Sequence, residues 1–187
     1  TGENPVPLAL MGLNPGVNVF VNDEGKFTEE VYVPAYIRRY PFMLARLRPD
    51  SDELSLCFDP KSSAVGVFKD GDKLFNGDKP SDVTNDILKF NEQFELAGQK
   101  TQQFINELHE LKLLMDGEVT IQQEGIEKPF VYRGFQMVDE NKLRELRGDQ
   151  HRKMMQNGML PVIHAHLFSL SLLRDVFARQ VVQGKMT

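Results

Sequence analysis

The adjacent arginines Arg38 and Arg39 are the residues best placed in the sequence to recognise an anionic group. They lie between Pro34 and Pro41 in the stretch VYVPAYIRRYPF, which spans residues 31–42. Proline favours extended backbone at the residue before it, so only the few residues between the prolines can form a turn of helix. In such a turn neighbouring side chains point to different sides, which directs the two guanidinium groups to different partners.

Two tyrosines, Tyr36 and Tyr40, share this segment and lie about one helical turn apart. A guanidinium group can stack on an aromatic ring, and it also matches the paired oxygens of a carboxylate or phosphate. The segment therefore predicts either a binding site for a small anionic ligand or peptide terminus, or a tight corner held by an internal bridge. Both alternatives stay open, because 27 acidic residues offer many internal partners for an arginine.

His164 and His166 form the one close pair among the four histidines. Apolar residues around them recur at steps of three and four, which predicts a helix, where residues two apart point about 200° away from each other. A two-histidine metal site on one helix needs a spacing of four, as in H-E-x-x-H, so no metal is predicted. We expect one ring to point inward, held by a hydrogen bond, and the other to lie at a boundary.

No motif predicts catalysis, so catalytic residues stay unassigned and no cofactor is expected. The sequence contains no G-x-G-x-x-G, no G-x-x-x-x-G-K-[ST] and no G-x-S-x-G pattern. Ser169 and Ser171, near the histidines, are better explained as helix serines that bond to the preceding turn. Cys57, the single cysteine, lies in a strand-like run and is predicted to be a buried, unreactive thiol.

Composition argues against two classes of partner. The chain has 187 residues and a net charge of −5, which argues against a nucleic-acid or anionic-membrane surface, because such binding depends on clustered Lys and Arg. A local basic patch stays open. The most apolar stretch, residues 160–173, is interrupted by His and Ser, so no membrane insertion is predicted. A single cysteine permits no internal disulfide, and the expected location is cytoplasmic, with the periplasm and cell surface left open.

The first 80 residues are predicted to be rich in β-structure. Short apolar runs alternate with polar, Gly-containing turns, which is typical of hairpins. The predicted strands are residues 8–13, 18–21, 27–33, 42–47 and 53–58. Residues 69–73 and 76–80 are predicted to be plain turns, because they lack the ligand spacing of an EF-hand calcium loop.

From Ser81 onward the apolar period becomes helical. Ten residues alternate steps of three and four and share one helix face. They are Val83, Ile87, Phe90, Phe94, Ala97, Thr101, Phe104, Leu108, Leu111 and Met115. A break near Ala97-Gly98 is expected, with Thr101 capping a second helix. The face is predicted to pack on the protein's own sheet, and a homodimer stays open.

The last third of the chain is predicted to contain a hairpin and further helices. The hairpin joins residues 118–123 to 129–138, and Asp139 is the expected cap of a helix over 140–146 that ends near Gly148. After a polar segment, a C-terminal helix buries a stripe of apolar residues. The stripe consists of Leu160, Ile163, Leu167, Leu170, Phe177 and Val181.

These elements predict one α+β domain over residues 1–187. A mixed, mostly antiparallel sheet in the β-rich portion, 1–80, is expected to pack with a helical portion, 81–187, that carries a hairpin near 118–138.

Five stretches together resemble the SapC family of bacterial proteins. They are NVFVNDEGKFTEEVYVPAYIRRYPF, LCFD at 56–59, GDKLF at 71–75, GFQMVDENKLREL at 134–146 and LPVIHAHLFSL at 160–170. The resemblance covers nearly the whole chain, and its most diagnostic part is the segment from Pro34 to Phe42. Family members usually begin several dozen residues earlier, in a segment with its own histidine, so we expect an N-terminal segment to be missing here.

The resemblance implies an accessory role more than a reaction. The family name refers to surface-layer proteins, members typically lack an evident enzymatic motif, and their genes often lie beside TonB-dependent receptors and flavin-dependent tryptophan halogenase-like proteins. We therefore favour a non-enzymatic binding or accessory protein, linked to outer-membrane uptake, that takes a peptide or small anionic ligand. Its predicted groove is lined by Tyr36, Arg38, Arg39, Tyr40, His164 and His166.

Two alternatives come from other functional classes. One is an enzyme that uses His164 or His166 for metal or acid–base chemistry. The other is a structural surface-layer component that assembles through exposed β-edges.

Overall fold

The protein is an α+β chain, as predicted. The computed structural model describes residues 5–28, 31–122, 125 and 127–185. In chain order the elements are α1 (Ala35–Arg38), β1 (Phe42–Arg46), β2 (Leu54–Phe58), β3 (Phe75–Asn76), β4 (Lys79–Pro80), α2 (Asp82–Glu110), β5 (Leu114–Ile121), β6 (Phe130–Val138), α3 (Glu140–Glu145), α4 (Gly148–Gln156), α5 (Met159–Ser171) and α6 (Leu173–Val182). Within the described residues the strands form three separate antiparallel pairs, β1–β2, β3–β4 and β5–β6, and not the mixed sheet that we expected.

Two compact units make up the chain, and each is described by itself. One unit consists of Tyr32–Thr101, and the other of Thr1–Val31 together with Gln102–Thr187. The unit boundary falls within α2, after Thr101. The longest sheet belongs to the second unit, so β-structure is not concentrated in the first 80 residues.

In the unit of residues 32–101, β1 and β2 form the hairpin that the sequence predicted. Phe42 lies opposite Phe58, and their ring centroids are 6.5 Å apart. Cys57 occupies β2 opposite Met43, but its thiol is half-buried and not enclosed, and its Sγ donates to the Ser55 carbonyl oxygen at 3.6 Å.

Helix α2 runs through 29 residues without the break predicted near Ala97-Gly98. Thr101 does not cap a second helix, because its Oγ1 donates to the Ala97 carbonyl oxygen one turn earlier at 2.9 Å. Gly98 is exposed, and a Cβ at this position would meet open space. The glycine therefore lowers helix propensity without any neighbour forcing the chain to bend.

The β5–β6 hairpin is longer than predicted. It pairs Leu114 with Val138 at one end and Ile121 with Phe130 at the other. Met115 is thus a strand residue and not the last member of the helical face, because α2 ends at Glu110 and the chain turns back. Part of the predicted loop at 124–128 lies outside the described residues.

The main core of this second unit lies where α2, β6 and the C-terminal helices meet. Its members are buried apolar side chains from five elements and one connection. They are Ile105, Leu108, Leu113, Val138, Leu143, Met154, Met159 and Ile163. Leu160 and Leu167 pack against this cluster, and Phe177 of α6 is also buried, so most of the predicted C-terminal stripe faces the protein interior.

Asp139 caps α3 as predicted. Its Oδ1 accepts hydrogen bonds from the backbone N–H groups of Asn141 and Lys142, both at 3.1 Å. The bond from the Lys142 N–H is the largest cause that holds the pKa of Asp139 below its ordinary value of 3.8. Extended backbone at Leu146 ends α3, so Gly148 begins α4 and does not end α3. The polar segment that we expected after Gly148 is therefore mostly helical.

The predicted C-terminal helix is two helices, α5 and α6, which meet at Leu172. By length and composition, Met159–Val182 could cross a membrane, although no stretch of that kind was predicted. Such a match is weak evidence, because core helices of soluble proteins meet the same criteria. In this chain 22% of the apolar window is buried.

In the N-terminal region the predicted hairpin is present but much shorter than expected, and the rest of the region is a loop. The Asn22 N–H donates to the Lys26 carbonyl oxygen at 2.9 Å, and the Thr28 N–H donates to the Phe20 carbonyl oxygen at 3.0 Å. In the described part, residues 5–28, the only strand-like pairing is a single bridge between Val21 and Phe27, and residues 29–30 of the predicted second strand lie outside it. A Cβ on Gly12 would overlap the carbonyl oxygen of Val17, which shows how closely this loop folds on itself. Val19 is buried, with 1% of its surface exposed.

Gln180 of α6 fastens this loop to the C-terminal helices. Its Oε1 accepts from the Leu13 N–H at 2.9 Å. Its Nε2 donates to Asn14 Oδ1 at 2.9 Å and to the Lys185 carbonyl oxygen at 2.7 Å. The side chain is completely buried. Its amide supplies hydrogen bonds that strand pairing does not supply in this loop.

Candidate functional site

The corner predicted around the two arginines is a single helical turn, α1. The Pro34 carbonyl oxygen accepts from the N–H groups of Ile37 and Arg38, and the Tyr40–Pro41 peptide bond is cis. The turn therefore occupies the residues between the prolines, as the sequence predicted.

Arg39 faces inward from this turn. Its guanidinium carbon lies 4.2 Å from the ring centroid of Phe94 and 5.0 Å from that of Tyr36. Nη1 is 3.5 Å from Glu95 Oε1, and 18% of the arginine side chain is exposed. Arg39 thus forms the internal bridge that was one of the two alternatives for this segment, and it ties α1 to α2 within residues 32–101.

Arg38 contacts different residues from Arg39. They are Phe90, one helical turn before Phe94 on α2, and Tyr32. The guanidinium carbon of Arg38 lies 5.2 Å from the ring centroids of both Phe90 and Tyr32. Nη2 also donates to the Tyr32 hydroxyl at 3.1 Å. Arg38 is exposed, and no carboxylate among the residues that the structure describes forms an ion pair with it. A guanidinium has five N–H donors, so donors remain for an external anion.

The tyrosines of this corner are exposed, and Tyr32 is the one that contacts Arg38. Tyr36 and Tyr32 are 68% and 77% exposed. Tyr40 is also exposed, and its hydroxyl donates to Asp59 Oδ2 at 3.2 Å, which connects the corner to the end of the β1–β2 hairpin. The arrangement can bind an anionic group at Arg38 and place an apolar or polar ligand body on the tyrosine rings.

The histidine pair lies on α5, in the other unit, as a helical pair with one inward ring. The Val138 N–H donates to His166 Nε2 at 3.2 Å, and His166 is half-buried. His164 is exposed, and its Nδ1 lies 2.9 Å from the Leu160 carbonyl oxygen. The predicted split between an inward and a boundary ring is confirmed, while the groove shared with Arg38 stays a prediction because the two groups belong to different units.

Both histidine rings are already engaged by backbone groups. Because Nε2 of His166 accepts a hydrogen bond, this imidazole is neutral with its proton on Nδ1. Burial lowers the pKa of His166 below its ordinary value of 6.5, which favours the same neutral form. In the described part of the chain, no group of three or more His, Cys, Asp and Glu side chains is placed to hold a metal ion.

Comparison with protein families gives a match to SapC over residues 1–176 of the 187-residue chain. The chain belongs to the SapC family. This confirms the resemblance that the sequence motifs indicated. No curated protein and no solved structure matches the chain.

Four residues complete the arginine corner of this SapC-family protein and were not among the predicted site residues. They are Tyr32, Phe90, Phe94 and Glu95. The two phenylalanines were visible as part of a helical stripe, and their spacing of four residues is the signal that could have paired them with successive arginines. The sequence pattern assigned them to ordinary packing against a sheet.

Lowering the pH from 7.5 to 5 is expected to reduce the free energy of unfolding through His166. Its pKa in the folded protein lies below 6.5, so the unfolded chain takes up the proton first as the pH falls. The contribution of His166 to the free energy of unfolding is therefore fully present above pH 6.5, and it is lost as the pH falls toward the pKa of the folded state. Urea unfolding at half-unit pH steps measures this slope, and His166→Gln should flatten it.

His164→Gln is the matched control on the same helix. This variant leaves the hydrogen bond from the Val138 N–H to His166 in place, so the part of the slope that comes from His166 should remain. Asp139 contributes at lower pH, because its pKa is lowered from 3.8. An unchanged slope in His166→Gln would show that the Val138–His166 bond does not determine the neutral state.

Proposed function

We propose that this SapC-family protein is a non-enzymatic binding protein that recognises the carboxylate of a peptide or small anionic ligand at Arg38. The observation that carries the proposal is an exposed arginine whose guanidinium carbon lies 5.2 Å from two aromatic ring centroids and which has no ion pair to any described residue. An arginine fork suits a carboxylate, because two parallel N–H groups can bond its two oxygens.

The aromatic contacts reduce the entropy that Arg38 loses when a ligand binds. A free arginine side chain carries roughly 2 kcal/mol of rotamer entropy. Stacking on Phe90 and Tyr32, with the hydrogen bond to the Tyr32 hydroxyl, restricts these rotamers before a ligand arrives. Preorganisation of this kind increases affinity by lowering the cost of binding.

Arg39 acts in this proposal as a positioning residue. Its stacking on Phe94 and its ion pair with Glu95 hold α1 against α2, and this sets the position of Arg38 one residue earlier. The exposed ring of Tyr36 adjoins Arg39 and supplies contact area for the body of the ligand. Tyrosine suits this role because it presents a large, stiff surface with a polar end.

The genes that often neighbour SapC-family genes support a link to outer-membrane uptake systems. The proposed location is cytoplasmic. The enzymatic alternative has less support, because the described hydrogen bonds of His164 and His166 are to backbone groups. Surface-layer assembly stays a prediction.

Titration of short peptides, followed by isothermal calorimetry, tests the proposal. The probe is an acetylated Ala-Ala-Ala peptide with a free C-terminal carboxylate, and its C-terminal amide is the chemical control. We expect the carboxylate form to bind and Arg38→Ala to weaken this binding about tenfold or more, the range for a charge-assisted hydrogen bond. Arg38→Lys should recover only part of the affinity, because lysine lacks the fork.

Arg48→Ala provides a matched control in the same unit. Arg48 is also exposed but pairs with Glu53 at 3.2 Å, so its removal should leave peptide affinity unchanged. Equal binding of the carboxylate and amide forms, or an Arg38→Ala variant that binds as the unmodified protein does, would contradict recognition at Arg38. The proposal would also be wrong if neither the peptide nor acetate bound at millimolar concentration.

A further inference from the structure

Helix α5 carries an apolar face that the rest of the protein leaves exposed. At 100° per residue, its members fall within an arc of about 120° that continues to the helix cap. We call these residues the α5 face: Pro161, Val162, Ala165, Phe168, Ser169 and Leu172. Phe168 is 72% exposed, and Val162 and Leu172 are 51% and 55% exposed.

Such exposure is unusual for a helix of this composition. α5 contains no Asp, Glu, Lys or Arg, yet only Met159 and Ile163 among its residues are buried. A helix that has no charged residue and has apolar side chains over most of its surface normally lies inside a protein or a bilayer. A contiguous exposed apolar face commonly marks a binding surface. We therefore expect a partner to cover the α5 face.

The charges on the helices next to α5 in the chain favour an anionic partner. The whole chain has 22 basic and 27 acidic residues, but no Asp or Glu occurs between Asp149 and Asp175. That stretch contains Arg152, Lys153 and Arg174, all exposed. Lys and Arg close to an apolar helix strengthen its attraction to membranes that contain anionic lipids.

We propose that the α5 face docks on the surface of an anionic lipid bilayer, with the helix lying in the interface. The protein needs the opposite side of the segment for its own core, since Ile163, Val176 and Phe177 are buried. The helices therefore lie on the bilayer and do not span it. A second copy suits the face less well, because a two-fold contact would bring the same basic residues of both copies together.

This site is independent of Arg38, so the two proposals succeed or fail separately. It gives the protein a lipid-surface partner in addition to a soluble anionic ligand.

Vesicle flotation with the complete chain tests the docking. Vesicles of phosphatidylcholine alone are compared with vesicles of phosphatidylcholine and phosphatidylglycerol at a ratio of seven to three. We expect binding to the anionic vesicles, weaker binding to the neutral ones, and a decrease as salt rises from 0.05 to 0.5 M. Phe168→Glu should lower the partition coefficient roughly tenfold or more, in line with the loss of one buried aromatic side chain.

Leu96→Glu on α2 is the matched control, because Leu96 is 57% exposed and receives the same charge change. This variant should bind vesicles nearly as well as the unmodified protein. Circular dichroism confirms that both variants stay folded, which their exposed positions favour. A loss in Leu96→Glu as large as that in Phe168→Glu would mean that net charge alone governs binding, and the proposal would be overturned.

A separate experiment tests the basic residues. Neutralising Arg152 and Lys153 together with glutamine should weaken binding roughly thirtyfold, since each charge near an anionic surface contributes about 1 kcal/mol. Lys89→Gln with Lys100→Gln removes two exposed charges on α2 and should have little effect. Lipid docking would be overturned if the protein did not bind anionic vesicles. If the protein instead self-associated in light scattering, and Phe168→Glu abolished this self-association, the α5 face would bind a second copy of the chain.

Discussion

Replacing Gln180 with leucine is expected to lower the free energy of unfolding by about 4 kcal/mol, because buried hydrogen-bonding groups that lose their partners cost about 1–3 kcal/mol each. Leucine has nearly the same size and fits the helix, so the variant isolates the loss of the amide. The change removes the acceptor for the Leu13 N–H and the donor for the Lys185 carbonyl oxygen. Urea unfolding monitored by circular dichroism measures the difference.

Gln156→Leu is the control for this substitution. Gln156 is exposed on α4, so exchanging its amide for leucine should change the free energy of unfolding by less than about 0.5 kcal/mol. A decrease below 1 kcal/mol in Gln180→Leu would mean that solvent or another side chain takes over the amide's bonds. The N-terminal loop would then not depend on the Gln180 amide for its position.

Local signals in the sequence predicted much of the fold. Pro34 and Pro41 defined the bounds of α1, and Asp139 marked the beginning of α3, because both act through the backbone of their immediate neighbours. The apolar residues of β1, β2 and α5 were assigned correctly for the same reason. Each of these elements follows from interactions within a few residues of the chain.

The errors arise where distant contacts decide the outcome. Gly98 lowers helix propensity, but about 1 kcal/mol per residue is small against the hydrogen bonds of a 29-residue helix, so α2 continues. Residues 8–13 have the composition of a strand, yet Leu13 bonds to Gln180, which is 167 residues away in sequence. No local pattern marks Gln180 as a partner, because a glutamine in a helix normally indicates an exposed position.

The arginine pair illustrates a limit of a different kind. Sequence offered an internal bridge and a ligand contact as alternatives for the segment, and adjacent identical residues could not be distinguished. In the structure Arg39 forms the internal bridge, because Glu95 follows the Phe94 on which Arg39 stacks. Arg38 contacts Phe90 and has no ion pair among the described residues. The distinction depends on residues of α2 more than 50 positions along the chain, which local spacing does not reveal.

Replacing Gly117 with alanine is expected to lower the free energy of unfolding by about 2–3 kcal/mol, the cost of forcing an extra carbon into a packed site. Gly117 is buried in β5 and lies opposite Phe135 of β6. A Cβ at this position would overlap the Phe135 ring. The ring must then rotate away from the strand, and the hairpin loses the contact at the register shift beside Gly117. Thermal and urea unfolding both measure the loss.

Gly98→Ala adds the same methyl group at an exposed helical position, where we expect the opposite effect on stability. Open space surrounds the Cβ position at Gly98, so alanine should raise the free energy of unfolding by about 0.5–1 kcal/mol through higher helix propensity. The same methyl group is thus expected to destabilise a buried strand position and stabilise an exposed helical one. If Gly117→Ala were neutral, the aromatic ring would not be packed on the glycine, and β5 would tolerate side chains on that face. If Gly98→Ala were destabilising, α2 would not be a continuous helix at this position, and the break predicted from the sequence would be restored.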